Sequence, residues 1–412
     1  MFRRDKILAA WICFLGGFFV LYQFLIQGST SLMVHQLMDN LCLNLTQIGF
    51  LSSAFFYPYI LLQIPSGILV DKFGPKKTLF VATVILALST FAFSFSDGFM
   101  SANLSRIIMG IASAPGVACA MFLAARWFPK HFAIVAGLLE MMGMLGGALG
   151  DFFLEMCIHQ YGWRVAMIIS AIIGIILAIL ILIFVRTKSN SKAENVPTKK
   201  QDPHTIKHFV VLIKNIEVWK HCLFGGCIFA IISAFASLWS IGFLQALYPD
   251  HMHSASFATA FIFIGAAIGA GLSGYLGNKF GCKIIMQLFS IVALIVFIIL
   301  LYIPVSFIMV NVLLLILGVS SGAYILPFAS IEAIAHKDAQ GVAMGFTNMI
   351  IIGLGGPILQ PVIGWILGWY QNAFACNADS VQSFQSALMP LLICLGVAVL
   401  LSFFVRRRKQ HA

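Results

Sequence analysis

Twelve long apolar runs, joined by short polar connections, constrain this chain more than any other feature. Each run holds about 20 mainly apolar residues, the length that an α-helix needs to cross a bilayer. The whole chain is 61% hydrophobic and only 9% charged, unlike a water-soluble domain. We therefore predict an all-α polytopic membrane protein with twelve transmembrane helices. The predicted runs 1 to 12 are 7–30, 47–70, 77–96, 101–124, 133–156, 163–185, 218–247, 255–277, 283–303, 307–330, 341–366 and 384–405.

Basic residues are distributed unevenly between the connections. Every Lys and Arg except Arg106 and Arg164 lies in a chain end or in one of the alternate connections. By the positive-inside rule, these connections and both termini face the cytosol. The net charge of +11 therefore reflects membrane topology, and we expect a lipid bilayer rather than nucleic acid as the partner.

A short basic turn between runs 2 and 3 returns half a chain later. A self-match at half the length of an apolar chain is typical of carriers built from two related halves. We predict two pseudo-symmetric six-helix bundles, 1–185 and 218–412, the second with a basic cytosolic tail, joined by a basic cytosolic linker at 186–217. The matched residues are Gly67, Leu69, Lys72, Phe73, Gly74 and Lys76 with Gly274, Leu276, Lys279, Phe280, Gly281 and Lys283.

This turn resembles the signature loop of the major facilitator superfamily. The resemblance implies a secondary carrier of twelve helices, in which the loop latches against the neighbouring half in one conformation. The residues of the predicted latch are Gly67, Asp71, Gly74 and Lys76, whereas Pro75 replaces the usual basic residue. Segments 125–129 and 161–164 look like segments common in the organic-anion and small-metabolite branches, and dipeptide-type branches remain an alternative.

Arg106 is the one basic residue placed deep inside an apolar run. It lies in run 4, roughly 8 Å below the outer interface at a rise of 1.5 Å per residue. A charge in hydrocarbon is costly unless it faces a cavity or a partner, so we interpret Arg106 as a substrate-binding residue. Its spacing to Gly110 also resembles a fourth-helix pattern of the superfamily, which implies substrate or proton handling. The alternative is a structural ion pair with a carboxylate of run 5.

Run 5 carries two carboxylates, Glu140 and Asp151, on one helical face. With 3.6 residues per turn, Gly147 and Asp151 each fall within about 20° of Glu140 around the helix. Glu140 lies roughly 10 Å inside the cytosolic edge, and Asp151 approaches the outer edge. Buried carboxyl groups can exchange protons near neutral pH. We predict that Glu140 and Asp151 couple transport to protons and that Glu140 also binds the substrate; Arg106 could pair with either.

Uncharged polar and aromatic residues complete the predicted substrate site. Amide side chains in membrane helices favour a wet or protein-packed side. For the polar residues of runs 1 and 2, simple interhelical hydrogen bonding is an equal alternative. The predicted contacts are Tyr22, Gln23 and Tyr59 from the first half and Trp239, Gln245, Tyr324 and Asn348 from the second. Asn348 stands where the repeat would place a second Glu140, so the fixed charges belong to the first half.

These features predict a secondary active transporter that moves a small anionic or zwitterionic solute by alternating access, as a proton symporter. Carboxylates, amino acids and small peptides fit a site with one cation and one carboxylate. The alternative is an uncoupled uniporter of small peptides or amino acids. A drug/proton antiporter is disfavoured because run 5 lacks the proline of the antiporter pattern. A sensor or scaffold that does not transport is disfavoured because the linker and tail are too short for a signalling domain.

Enzyme activity is not expected, because the apolar runs hold no catalytic constellation and no metal motif. We accordingly expect no cofactor and no metal site. The partners that we predict are the small-molecule solute, possible co-transported protons and lipid. We expect a monomer, with several membrane passes, in the inner membrane of a bacterium.

Overall fold

A computed structural model describes residues 3–128, 131–185, 211–252, 254–335, 340–374 and 380–405. Across these residues the chain is helical and contains no strand. The helices of the first half are α1 (Arg3–Gly28), α2 (Val34–Leu41), α3 (Leu45–Ser53), α4 (Phe56–Leu61), α5 (Gln63–Ser94), α6 (Phe99–Ser113), α7 (Pro115–Trp127), α8 (Phe132–Leu149) and α9 (Glu155–Phe184). Those of the second half are α10 (Ile216–Ala230), α11 (Ser240–Leu247), α12 (Ser254–Phe280), α13 (Cys282–Tyr302), α14 (Phe307–Ser321), α15 (Leu326–Ile334), α16 (Gln340–Leu354), α17 (Gln360–Phe374), α18 (Val381–Ala387) and α19 (Met389–Phe404).

Nine helical stretches in the described part of the chain are long and apolar enough to cross a membrane. A tenth is obtained when the bent pair Val381–Ala387 and Met389–Phe404 counts as one crossing. Large apolar side chains such as Ile172, Ile176 and Leu400 are exposed on the outer surface of the bundle, as lipid contact requires. The chain is therefore a multi-pass integral membrane protein.

The two halves contain the same glycine-dependent bend. Gly74 bends α5 with φ of +77°, and Gly281, before α13, has φ of +93°. Both angles lie in the left-handed region that favours glycine. The ammonium of Lys72 lies 5.3 Å from the Phe73 ring centroid, and Lys279 and Phe280 repeat this contact at 5.3 Å. The sequence repeat is thus a repeat of local structure.

Close helix crossings are repeated as well. Gly110 of α6 lets α6 pack directly on the Phe55 carbonyl, and Gly318 of α14 does the same on the Ile262 carbonyl. A side chain at either glycine would displace main-chain atoms, so small residues determine both crossings. These two crossings lie at corresponding positions of the two halves and support their pseudo-symmetry.

The predicted runs are not all uninterrupted α-helices, because the described chain contains three π-helical segments. These are Gly150–Leu154 after α8, Ile231–Trp239 after α10 and Gly355–Leu359 after α16. The segment predicted as run 2 is also broken, into α3, α4 and the start of α5. Pro58 lacks an N–H donor, which contributes to this break. Such irregular turns are frequent at functional sites.

Most of the predicted linker, 186–210, lies outside the described residues. Where the description resumes, Leu212 is buried in a cluster with Val218, Cys222, Ile331, Ala343 and Phe346 of the second half. The chain just before α10 is therefore packed on the second half. The predicted domain boundaries remain predictions.

Two ends of the helices are distinguished by their connections. We call the end with the bends at Gly74 and Gly281 the basic end, because Lys72, Lys76, Lys279 and Lys283 lie there. The opposite end, with the connections 95–98 and 303–306, is called the far end. Hydrogen bonds connect the halves at several heights. At the far end Thr46 donates to the Gly364 carbonyl, and in the middle Asn348 donates to Gln63.

Candidate functional site

A cluster of polar side chains lies between the two halves at mid-height. Glu140 of α8 is half-buried, and it lies within electrostatic range of Tyr59 from α4 and Tyr324 from the second half. Both tyrosines are almost fully buried. The structure thus brings together one predicted carboxylate and one predicted tyrosine from each half. We call Gln23, Tyr59, Gln63, Glu140, Tyr324 and Asn348 the central polar cluster.

Three amide side chains belong to the same cluster. Gln23 and Gln63 lie beside the Tyr59 hydroxyl. The Asn348 amide nitrogen lies 3.4 Å from Gln63 Oε1, a contact that joins α16 to α5 across the halves. Gln23, Tyr59, Glu140, Tyr324 and Asn348 were predicted as substrate contacts, and the structure places them in one region. Their role as substrate ligands stays a prediction.

Several polar atoms of the cluster have unused hydrogen-bonding capacity. Gln23 is fully buried, and neither its Nε2 nor its Oε1 has a partner within the described part of the chain. The same holds for Nε2 of Gln63. Buried polar groups without partners are costly, so these amides are available to a polar solute or to water.

Arg106 lies elsewhere and is held differently from either predicted arrangement. Its guanidinium donates to the carbonyls of Ile26 at 2.9 Å, Gln27 at 3.0 Å and Ser52 at 3.3 Å. It also lies over the Phe55 ring, 5.1 Å from the centroid. Among the described residues it forms no ion pair with Glu140 or Asp151, which corrects the expectation of a carboxylate partner.

The acceptors explain this position. Ile26 and Gln27 belong to the last turn of α1, where carbonyls lack partners inside the helix and where a cation is favoured by the helix dipole. Arg106 is only 1% exposed, so its guanidinium is not open to solute in this conformation. The residue fastens the far end of α1 to α3 and α6.

The other predicted contacts do not join the central polar cluster. The Tyr22 hydroxyl lies against Gly174 and Ala87, inside the first half. Trp239 donates from Nε1 to the Gln360 carbonyl at 3.2 Å. Gln245 donates to the Met252 carbonyl at 3.3 Å, near the far end. Trp239 and Gln245 instead line a separate cavity at the far end.

Asp151 is buried near the far end, in the π-helical segment Gly150–Leu154. Its side chain is 4% exposed, and its Oδ2 has no hydrogen-bond partner in the described part of the chain. It lies within electrostatic range of Glu155, one turn later. The predicted proton-coupling pair, Glu140 and Asp151, is therefore divided between two regions of the molecule.

The predicted latch lies at the basic end. Gly74 has the left-handed backbone described above, and its carbonyl accepts from the Thr78 hydroxyl at 2.9 Å. Gly67 has open space where a side chain would project, and Lys76 is half-buried. The side chain of Asp71 lies outside the described residues, so the latch stays a prediction.

A seam of hydrogen bonds, which no sequence signal predicted, joins α3 and α4 of the first half to the π-helical segment Gly355–Leu359 of the second. Ser53 donates to the Gly356 carbonyl at 2.8 Å, and Tyr57 donates to the Pro357 carbonyl at 2.9 Å. Gln360 continues this seam into α10 and its π-helical extension, since its amide donates to the Ser233 carbonyl at 2.7 Å. Carbonyl acceptors carry no side-chain signature, so only the serine and the glutamine could have drawn attention.

Known proteins with the same fold agree with this architecture. A bacterial homologue of the human lysosomal transporter Spinster, in an inward-facing and unoccupied conformation, superposes with a TM-score of 0.77 at 16% identity, over 97% of both chains. The nucleoside transporter NupG, as its D323A mutant, gives a TM-score of 0.77 at 16% identity, over 97% of this chain and 98% of that one. At such identities the likeness concerns the fold.

Two relatives with higher sequence identity are transporters from bacteria. The hexuronate transporter of Bacillus subtilis (strain 168) is 30% identical over 203 residues, which are 49% of this chain and 47% of the relative. The probable L-galactonate transporter of Escherichia coli (strain K12) is 26% identical, over 63% of this chain and 59% of the relative. The matches thus span about half to three fifths of the length of these relatives.

The family model described as Major Facilitator Superfamily matches residues 12–361, which is most of the chain. Members of this family are transporters rather than enzymes. Its match agrees with the repeated half, the apolar helices and the two structural neighbours. The chain therefore belongs to the major facilitator superfamily.

Proposed function

We propose that this protein is a proton-coupled secondary transporter of a small organic anion, with its solute site at the central polar cluster. The observation that carries the proposal is the position of Glu140, a half-buried carboxylate between Tyr59 of one half and Tyr324 of the other. A group held between two halves that rock against each other senses their relative position. Solute and proton at this site would therefore be exposed to each side in turn.

The membrane topology that we propose has twelve crossings. The stretch Val135–Phe184 has 50 residues, about 75 Å of helix, which is too long for one crossing of a core of about 30 Å. Gly162, with φ of +79°, divides it into two. The broken helices over 45–71 supply one more crossing. An even number of crossings then places both termini on one side, and the basic connections favour the cytosol.

A sugar acid is the solute class that we favour. The amides of Gln23, Gln63 and Asn348 suit hydroxyl groups, because each amide offers both a donor and an acceptor. The relatives named for hexuronate and galactonate support this class. Amino acids and small peptides remain the alternative, for which the amine would pair with Glu140.

Proton coupling follows from the charge of the site. An anion and an ionised Glu140 would repel each other in a half-buried site, so the bound state favours a protonated carboxyl. A proton and an anion would then cross together. Glu140 is the member of the cluster whose loss should separate coupled from uncoupled movement; a uniporter would not need it.

Uptake into proteoliposomes tests the proposal directly. Purified protein should accumulate labelled D-galacturonate or D-galactonate when the outside is more acidic than the lumen, and accumulate neither D-galactose nor dialanine. Glu140→Gln should lose the accumulation, whereas Asp97→Asn, at an exposed carboxylate of the far end, should retain it. Accumulation of dialanine instead of the sugar acids would favour the peptide alternative. Equal uptake with and without the pH difference would favour the uniporter.

Cellular context and assembly follow as further parts of the proposal. The named relatives are from bacteria, so we propose the cytoplasmic membrane of a bacterium as the location. The solute path lies between the two halves of one chain, so a monomer would suffice for transport. Light scattering of the detergent-solubilised protein would test the monomer.

A further inference from the structure

A second group of ionisable side chains lies outside the central polar cluster, in a cavity at the far end. The cavity has a volume of about 210 Å³ and is lined by both halves. Glu155 and His159 of α9 and His35 of α2 line it, together with Trp239 and Gln245 from the second half. We call it the far-end chamber. Its carboxylate, Glu155, also borders an adjoining pocket beside Phe257.

Asp151 lies one helical turn before Glu155 and within electrostatic range of it. Its side chain is only 4% exposed, and its Oδ2 lacks a hydrogen-bond partner within the described residues. In the second half, Gln360 lies four residues after Gly356, as Asp151 lies four residues after Gly147, but this pairing is shifted by one residue from that of Glu140 with Asn348. That glutamine is fully buried and bonded to the Ser233 carbonyl at 2.7 Å. The bonded amide of Gln360 contrasts with the carboxyl oxygen of Asp151, which lacks a partner within the described residues.

An aromatic side chain separates this pair from Glu140. Glu140, Gly147 and Asp151 share one face of the helix, and Phe263 of α12 covers the middle position. A Cβ atom at Gly147 would lie 2.6 Å from a ring carbon of Phe263. Because α12 belongs to the second half, parting of the halves at the far end would withdraw the ring from Gly147.

We propose that Asp151 and Glu155 share one proton and form a second proton-binding site, which is loaded from the far side and separated from Glu140 by Phe263. The inference rests on the proposed proton-coupled transport. In this scheme the chamber supplies a proton to the pair, and withdrawal of Phe263 opens the way to Glu140. The proton is then released from Glu140 toward the basic end, so no other co-reactant is required.

The other ionisable groups near the pair are few. His159, one turn after Glu155, and His35 face the chamber. The neighbouring segment Ser29–Met33 and residues 254–263 of α12 hold no ionisable side chain. The two histidines are therefore the ionisable side chains that line the chamber together with Glu155.

Infrared difference spectroscopy on the full-length protein tests this site without any solute. A change of pH should alter the carbonyl band of protonated carboxyl groups in the wild type. Asp151→Asn and Glu155→Gln should each remove the same part of that band, and the double variant should remove no more. Glu140→Gln should remove a different part. The exposed controls Asp97→Asn and Glu332→Gln should leave all of it.

Several outcomes would overturn the shared proton. Additive losses in the double variant would mean two independent acids, and unchanged bands in both single variants would mean that neither carries the proton. Loss of the band on addition of Na⁺ at constant pH would identify a sodium site instead. Should either variant fail to fold, Glu155→Asp keeps a carboxyl group in the chamber and should keep the shared band.

The gate is tested by proton leak into proteoliposomes that contain no solute. Phe263→Ala should raise the leak several-fold, because the aromatic barrier between the two sites is removed. Phe261→Ala, two residues earlier and so on a different face of α12, should leave the leak unchanged. Equal leaks in both variants would contradict a gate at Phe263. Neither this result nor the infrared result depends on whether D-galacturonate is transported.

Discussion

The two halves of the molecule share glycine-dependent bends and helix crossings, and they differ in the side chains that can carry charge. Gly74 and Gly281 have the same left-handed conformation, and Gly110 and Gly318 allow the same close crossing. The carboxylates Glu140 and Asp151 and the buried Arg106, by contrast, lie in the first half: the second half has Asn348 where the first has Glu140, and Leu314 where it has Arg106. Symmetric scaffolding provides two similar rocking bodies. The asymmetry assigns proton handling to one body, while the other contributes tyrosine and amide contacts.

The largest effect is expected from breaking the shared scaffold. Gly110→Ala and Gly318→Ala each place a Cβ on a main-chain carbonyl, so both should lower the free energy of unfolding by about 3 kcal/mol. Gly271→Ala, in open space on α12, is the control and should change it little. Thermal unfolding in detergent measures the difference. A loss confined to one of the two crossings would contradict their equivalence.

The next effect concerns Arg106, which has no counterpart in the second half. Arg106→Met removes charged hydrogen bonds to three carbonyls, but it also removes the cost of burying a guanidinium, so the net loss should be close to that of one such bond, about 1.5–3 kcal/mol. We expect a clear loss of thermal stability and partial rescue by Lys, which cannot reproduce the planar fork. Leu314→Met, at the corresponding position, should cost less than about 1.5 kcal/mol. Full stability of Arg106→Met would show that the guanidinium does not hold α1.

A smaller effect is expected at Asn348, the second-half counterpart of Glu140. Asn348→Ala removes a long hydrogen bond to Gln63 and one solute contact, so the affinity for D-galacturonate should fall about three- to tenfold, or about 1 kcal/mol. Proton-driven accumulation should remain, because Glu140 is intact. Binding measured by tryptophan fluorescence, beside uptake, separates the two. Loss of proton coupling in this variant would contradict the assignment of proton handling to the first half.

The smallest effect is expected at the far-end seam. Ser53→Ala removes one hydrogen bond to Gly356, which should shift the balance between conformations about fivefold toward opening of the far end. Spin labels at the exposed positions Asp39 and Tyr302, one in each half, would report the change in distance. Ser101→Ala, in a far-end position outside the seam, is the control. An unchanged distance distribution would show that the Ser53 hydrogen bond does not hold the far end closed.

Much of the fold was accessible from sequence because it depends on local composition. The run predicted at 283–303 corresponds to α13, Cys282–Tyr302, and the repeated glycines identified the two bends. Breaks within helices were not predicted, since the π-helical segments depend on packing between helices. Pro58 in run 2 and Pro357 in run 11 are the visible signs of such breaks.

The candidate site was predictable only in part. The face shared by Glu140, Gly147 and Asp151 indicated an inward-facing stripe, and the structure places Glu140 between the halves. The acceptors of Arg106 are main-chain carbonyls, which have no sequence signature, so a carboxylate partner was the natural but incorrect expectation. Depth along a run also does not reveal which side of the helix faces the centre. Tyr22 accordingly lies inside the first half, and Trp239 lies in the far-end chamber.

The central claim is that Glu140 couples solute movement to protons. Counterflow and gradient-driven uptake of D-galacturonate, measured on the same proteoliposomes with the Glu140→Gln protein, test it most directly. We predict that the variant still exchanges labelled for unlabelled solute, at a rate within about tenfold of the wild type, while losing accumulation against a gradient. Undiminished proton-driven accumulation by Glu140→Gln would contradict the account.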